Sequence, residues 1–351
     1  MLGLAIAAIV LAVLNGHRNE LVGASSTLER LRLGWLLLAI AAEVACYLCF
    51  ASLQRRLLRA GKVDVGLGSM LGLTVAAAAI ATSVPAGPAV SGVYAFHQYR
   101  RRGADEALAG WTLVATLVCA ALTLGLVAMA GILLALRQGS SYGLIGVVIG
   151  VVVVATVADA VVWQRRWLAR VIVVFLRLAR RIVGRPRREA VALVDAWFAR
   201  LGGVRLGWRD LAATLGFGLG QWVFDCACLA FSFLAVGVAI PWRGLLLAYG
   251  AGQLAVNLPI TPGGLGVVEG SLTVALVAFG GAELSTVAAV LCYRIVSFWG
   301  LLPVGWLVWL VTTLRHRRVD EAARAAPAPP PAVAGVGATG RGLSDDAAVG
   351  E

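Results

Sequence analysis

Two long apolar stretches, residues 65–99 and 243–280, are each broken near the middle by proline and glycine: "PAGP" at Pro85–Pro88 and "PITPGG" at Pro259–Gly264. A helix crosses a hydrocarbon core of about 30 Å with about 20 residues, so each stretch is too long for one crossing. Proline lacks the amide donor of a helix interior and clashes with the preceding turn, and glycine admits left-handed backbone. Within lipid, every backbone polar group must find a partner inside the protein. Non-helical backbone at that depth is therefore buried in protein or lines a wet cavity. The two breaks are expected to face one another or a groove.

The rest of the chain sets the class. Of 351 residues 60% are hydrophobic and 14% charged, with a mean hydropathy of +0.88, which reads as an all-α integral membrane protein, a polytopic helical bundle. Further apolar runs lie at 1–14, 35–54, 107–136, 142–163, 210–238 and 283–313, and no segment between them is long enough to bury a water-soluble core. The first run is short, which leaves two readings open, a signal-peptide core or a first span clipped at its start. Cys46, Cys49, Cys119, Cys226, Cys228 and Cys292 all fall in apolar segments and read as small core residues.

Arginine and lysine stay on the cytoplasmic side of short loops. The segment Gln164–Arg209 holds 12 arginines against Glu189 and Asp195 and is expected to be a cytoplasmic amphipathic loop. Its Arg166, Arg170, Arg177 and Arg181 share one helical face and Leu168, Val171, Phe175 and Leu178 the other, as suits a helix lying on anionic inner-leaflet lipid rather than on nucleic acid. Arg55–Lys62, Arg100–Arg102 and Arg315–Arg318 should share that side. All these placements agree only if 65–99 and 243–280 are re-entrant hairpins, the first opening to the cytoplasm and the second to the outside. The chain then becomes two halves, 1–136 and 142–313, of opposite orientation: an inverted repeat with paired broken helices, which is the architecture of alternating access to a midplane site. Pro-kinked ordinary spans are the plainer reading. Both termini fall in the cytoplasm, and the Ala-, Pro- and Gly-rich residues 315–351 are expected to form a disordered tail.

Each returning half-helix, starting near Pro88 and near Gly264, presents free amides and the positive end of a dipole, which favour an anion. The second is expected to run from Leu265 to Phe279. Glu43, Asp159, Asp225, Glu269 and Arg294 are ionisable and sit within spans, where each needs a partner or a purpose. Asp159 reads as a snorkelling residue and Glu43 as structural. Arg294 reads either as the grip for a phosphate or carboxylate or as half of an internal salt bridge to Glu269 or Asp225. The two are compatible if a lipid phosphate competes for the arginine. Asp225 and Glu269 are the candidates for carrying a coupling proton.

"NLPITPGGLGVVEGSL" from Asn257, followed by "CYRIVSFWGLLPVGW" from Cys292, resembles the second signature of the flippase-like membrane domain of lysylphosphatidylglycerol synthases, the multiple peptide resistance factor family, and "PAGPAVSGVYAFHQYRRRG" resembles its first. The resemblance runs over residues 1–314. It implies membrane helices with re-entrant segments that move phospholipids or polyprenyl-phosphate-linked lipids between leaflets. The motif positions fall on Pro262, Gly263, Gly264, Gly266, Glu269, Tyr293 and Arg294, and Pro85, Gly87, Asn257 and Pro259 complete the substrate-binding candidates. Two departures stand out. Gly92 is followed by Val93 where many relatives carry a glutamate, and no aminoacyl-transferase domain follows the last span, so making lysylphosphatidylglycerol is not implied.

Against an enzyme stand the scattered His17, His97 and His316 and the lack of a loop that would house a transfer site. No metal or cofactor is implied, and "AGKVD" around Lys62 is no phosphate-binding loop. The expectation is a lipid transporter of the cell membrane rather than an enzyme. The alternatives are an accessory subunit of a separately encoded transferase and a small-solute secondary transporter.

Overall fold

A computed structural model describes residues 32–84, 86–137, 207–256 and 262–325. Among them regular structure is helical throughout: α1 (Leu33–Ala60), α2 (Leu67–Ser83), α3 (Gly87–Arg101), α4 (Glu106–Arg137), α5 (Trp208–Val236), α6 (Trp242–Val256), α7 (Val267–Ala278), α8 (Glu283–Arg294) and α9 (Leu301–Ala325). Helices α1, α4, α5 and the run from α8 into α9 are long and apolar enough to cross a membrane. The runs expected at 1–14 and 142–163, Asp159, the basic segment up to residue 206, and Pro85, Asn257 and Pro259 lie outside the described residues.

Helices α1 and α5 pack along one another and run antiparallel. The Arg32 amide, just before α1, donates to Ala235 O near the end of α5 at 2.9 Å, while Arg56 near the end of α1 donates from Nη1 to Asp210 Oδ1 at the start of α5 at 2.6 Å. Small residues let the backbones close up, as suits helices in lipid, where packing rather than the hydrophobic effect drives association. A Cβ on Gly220 of α5 would stand 3.1 Å from Cys49 Sγ of α1. All six cysteines are free, and all but the half-buried Cys49 are buried, as expected of small core residues.

The two broken stretches become pairs of short helices, α2 with α3 and α6 with α7, each pair packed together. At 1.5 Å per residue the 17 residues of α2 reach about 26 Å, short of the hydrocarbon thickness. Each pair also receives a helix from the opposite half of the sequence. α4 lies on α6, where a Cβ on Gly131 would come within 2.8 Å of Leu247 N, and α9 lies on α2, where a Cβ on Gly305 would come within 2.8 Å of Val75 O. Trp306 of α9 donates its indole N–H to Ser83 Oγ at 3.1 Å and fixes the end of α2.

One boundary falls where expected and three differ. α3 begins at Gly87, because Val84 is extended and Ala86 left-handed (φ 57°) before it, and Gly87 sits so close to Ala81 O that no side chain would fit. α7 begins at Val267 rather than Leu265, because Gly263, Gly264 and Gly266 all have positive φ, and it ends at Ala278 rather than Phe279. The tail expected to be disordered from residue 315 starts as helix. Residues 311–325, the described part of a second compact unit, continue α9 to Ala325, since "RHRRVDEAARA" is rich in good helix formers with Asp320 and Arg324 spaced i,i+4.

Candidate functional site

The second break is a 3₁₀ turn at Pro262–Gly264, in which Gly263 (φ 64°) and Gly264 (φ 68°) take left-handed backbone. It meets the first break directly. A Cβ on Gly263 would stand 3.1 Å from Thr82 O, at the end of α2, and would run into the Phe298 ring. The breaks therefore face one another, and Gly264 is buried beside the contact.

Beside this contact α8 ends at Arg294 and passes into one turn of π-helix, Ile295–Trp299, closed by the Gly300 amide donating to Ile295 O at 2.8 Å. Such turns insert a residue into a helix and recur at functional sites. Here the turn carries Phe298 under the guanidinium, whose Cζ lies 4.5 Å from the ring centroid.

Arg294 is 7% exposed, so its charge is costly without partners. Nε donates to Glu269 Oε1 at 2.6 Å and Nη2 donates to Gly263 O at 3.0 Å, in the break itself. Glu269 in turn accepts from the Gly266 amide on Oε2 at 2.7 Å, the reach-back bond of a capping box. One carboxylate thus spans the guanidinium and the helix N-terminus. Of the two salt bridges open to Arg294 in the sequence, the one to Glu269 forms. The amide expected to be free for a ligand is occupied by that same carboxylate. The place is not sealed: the Glu269 side chain is 21% exposed and Gly266 is at the surface. Ile295 and Leu291, next to Arg294 in sequence and one turn before it, and Val274 of α7 are exposed apolar residues.

A second polar group lies deeper, in the core that α1, α5, α6 and α8 share. Asp225 Oδ2 accepts from Tyr249 Oη at 2.7 Å and Gln253 Nε2 at 2.9 Å, and Oδ1 accepts from Tyr293 Oη at 2.9 Å. Tyr293 and Arg294, consecutive on α8, therefore serve different carboxylates. Glu43 of α1 faces Asp225 and Cys228, and its Oε2 has no hydrogen-bond partner among the described residues.

Of the motif positions, Gly263, Gly264, Gly266, Glu269 and Arg294 come together at the second break, Pro262 opens its turn, and Gly87 belongs to the first. Tyr293 and Asp225 form the deeper cluster. Sequence reasoning took Glu43 as structural and passed over Tyr249 and Gln253. The available signal was that a carboxylate within a span needs partners, and a tyrosine and a glutamine one turn apart on α6 were there to supply them.

Helices of membrane length, packed through small residues around a buried arginine, define an all-α polytopic membrane protein. The chain belongs to the lysylphosphatidylglycerol synthase TM region family, whose model matches residues 1–305. It is also similar to a UPF0104 membrane protein of Methanothermobacter thermautotrophicus (strain Delta H), 48% identical over 54 residues, which cover 15% of this chain and 15% of that protein.

Proposed function

We propose that this protein moves a lipid with a phosphate headgroup, a phospholipid or a polyprenyl-phosphate-linked lipid, between the leaflets of the cell membrane, and that it does no chemistry on that lipid. The observation that carries the reading is the bridge made by Glu269. An anionic group accepts at once from Arg294 Nε and from the Gly266 amide, the two kinds of donor that bind phosphate, a guanidinium and a helix N-terminus. A lipid phosphate displacing Glu269 would meet the same donors, and the glycine backbone lets it approach closely. The exposed Leu291, Ile295 and Val274 favour a lipid over a free solute, since acyl chains can stay in the bilayer while the headgroup reaches Arg294.

The reading includes an inverted repeat with two re-entrant hairpins. Its support is the reciprocal packing of α4 on α6 and α9 on α2 through Gly131 and Gly305, and the antiparallel α1 and α5, which occupy equivalent places in the two halves. Both termini would be cytoplasmic, with Arg165–Arg209 on anionic inner-leaflet lipid. A separately encoded transferase would be a partner and not the source of the activity.

The test is leaflet exchange in proteoliposomes across a panel of labelled phospholipids and polyprenyl phosphates. Exchange of at least one phosphate-bearing lipid, above protein-free vesicles, is expected. No exchange across the panel would overturn the reading in favour of an accessory or solute-transporting role.

A further inference from the structure

Carboxyl groups rarely meet in an apolar core without a reason. Glu43 and Asp225 are each 8% exposed, lie on the antiparallel pair α1 and α5, and face each other. The helices that carry them share an apolar core to which Ala39, Ala42, Leu229 and Val290 belong. Asp225 accepts from three donors, Tyr249, Gln253 and Tyr293, and such hydrogen bonds favour the charged form of the carboxyl that receives them. Glu43 has no such set, and its Oε2 is buried without a donor. Two carboxylates in contact inside low-dielectric surroundings repel one another strongly, and one proton bound between them relieves that repulsion.

The other titratable and charged groups facing this pair are Cys46 and Tyr47 on α1, Cys226 and Cys228 on α5, Tyr249 on α6, and Cys292, Tyr293 and Arg294 on α8. Thiols and phenols remain neutral there at ordinary pH. Arg294 is the cation that acts on Asp225, but its Nε is held by Glu269.

We propose that Glu43 and Asp225 form a proton-binding site, Glu43 as the acid and Asp225 as the carboxylate that accepts its hydrogen bond, and that proton loading here couples to the Arg294 site. The chemistry is a bare transfer: the Glu43 O–H bond breaks, the proton leaves to water, and its electron pair stays on the carboxylate. The charge of the pair goes from −1 to −2. The added charge draws on Arg294 in competition with Glu269, and it does so beside Tyr293, which precedes Arg294 in the chain and donates to Asp225. Unloading the proton therefore weakens the hold of Glu269 on Arg294, and reloading restores it.

The coupling rests on the lipid-moving reading above, whereas the proton site does not, and the experiment separates them. Infrared difference spectroscopy of the full chain in proteoliposomes, between acid and alkaline buffer, should show the carbonyl band of a protonated buried carboxyl. That band should be lost in Glu43→Gln, shifted in Asp225→Asn, and still present in Glu269→Gln. In parallel, lipid exchange by the unsubstituted protein should respond to an imposed pH gradient, and Glu43→Gln should lose that response. A carboxyl band that survives Glu43→Gln in folded protein would overturn the proton site. A band that behaves as expected beside exchange indifferent to the gradient would overturn the coupling. Lipid exchange absent from the unsubstituted protein, with the band intact, would count against the lipid-moving reading and the coupling while leaving the proton site supported.

Discussion

Glu269 places one carboxylate oxygen 2.6 Å from Nε of Arg294 and the other 2.7 Å from the Gly266 amide, so a single side chain ties the guanidinium to the helix start at the break. The arrangement explains why the backbone breaks where it does. A continuous helix through Pro262–Gly266 would bond its amides internally and leave Arg294 without the Gly263 carbonyl that steadies Nη2 at 3.0 Å.

Removing Glu269 leaves a buried guanidinium without its counter-ion, and breaking a buried pair from one side costs about 3 to 5 kcal/mol. Glu269→Ala should therefore lower the unfolding temperature in neutral detergent, and added anionic phospholipid should restore much of the loss by supplying a phosphate to Arg294. Thermal unfolding with and without that lipid checks this. Equal recovery with a neutral glycolipid would show that the phosphate is not what Arg294 binds.

Gly263 and Gly270 are both glycines of the same motif and should respond oppositely to alanine. Gly263 has a left-handed backbone, which costs an L-residue about 1 to 2 kcal/mol, and its Cβ would displace Phe298 from beneath Arg294. Gly270 lies within α7 with nothing within 4 Å of a Cβ, so alanine there should gain up to about 1 kcal/mol of helix propensity. Unfolding temperatures and exchange rates of the two variants, measured side by side, test the geometry of the break. Gly263→Ala should lose in both and Gly270→Ala in neither.

The re-entrant arrangement predicts sidedness. Cysteines introduced at Lys62 and Arg101, which flank the α2–α3 pair, should react with an impermeant thiol reagent only from the cytoplasmic side, and one at Gly281, between α7 and α8, only from the outside. Opposite reactivity of Lys62 and Arg101 would mean that residues 65–99 cross the membrane, and the inverted repeat would fail.

How far these features could be read from the sequence depends on whether the signal was local. The breaks were legible because proline and glycine act on their own turn of helix, and Arg294 and Glu269 because an ionisable group in a span advertises its cost. The exact start of α7 was not, since the positive φ of Gly263, Gly264 and Gly266 decides it, and the first of these packs against Thr82 and Phe298 from distant parts of the chain. The meeting of Asp225 with Glu43, Tyr249 and Tyr293 was hidden for a stronger reason. It joins helices far apart in the chain, and no periodicity within α1 distinguishes a glutamate facing another carboxyl from one facing a backbone carbonyl. The end of α9 was misread because composition near the terminus argued for disorder while "RHRRVDEAARA" itself favours helix.

The central claim is that Arg294 receives the phosphate of the lipid being moved. The most direct measurement is leaflet exchange of a labelled phosphate-bearing lipid by Arg294→Gln, in proteoliposomes made from protein that elutes and unfolds as a folded species. Glutamine keeps a donor for the Gly263 carbonyl and for Glu269 but has neither the charge nor the fork that grips phosphate. Exchange should fall to the protein-free rate. Exchange at the rate of the unsubstituted protein would contradict the account and make the break a feature of packing or gating.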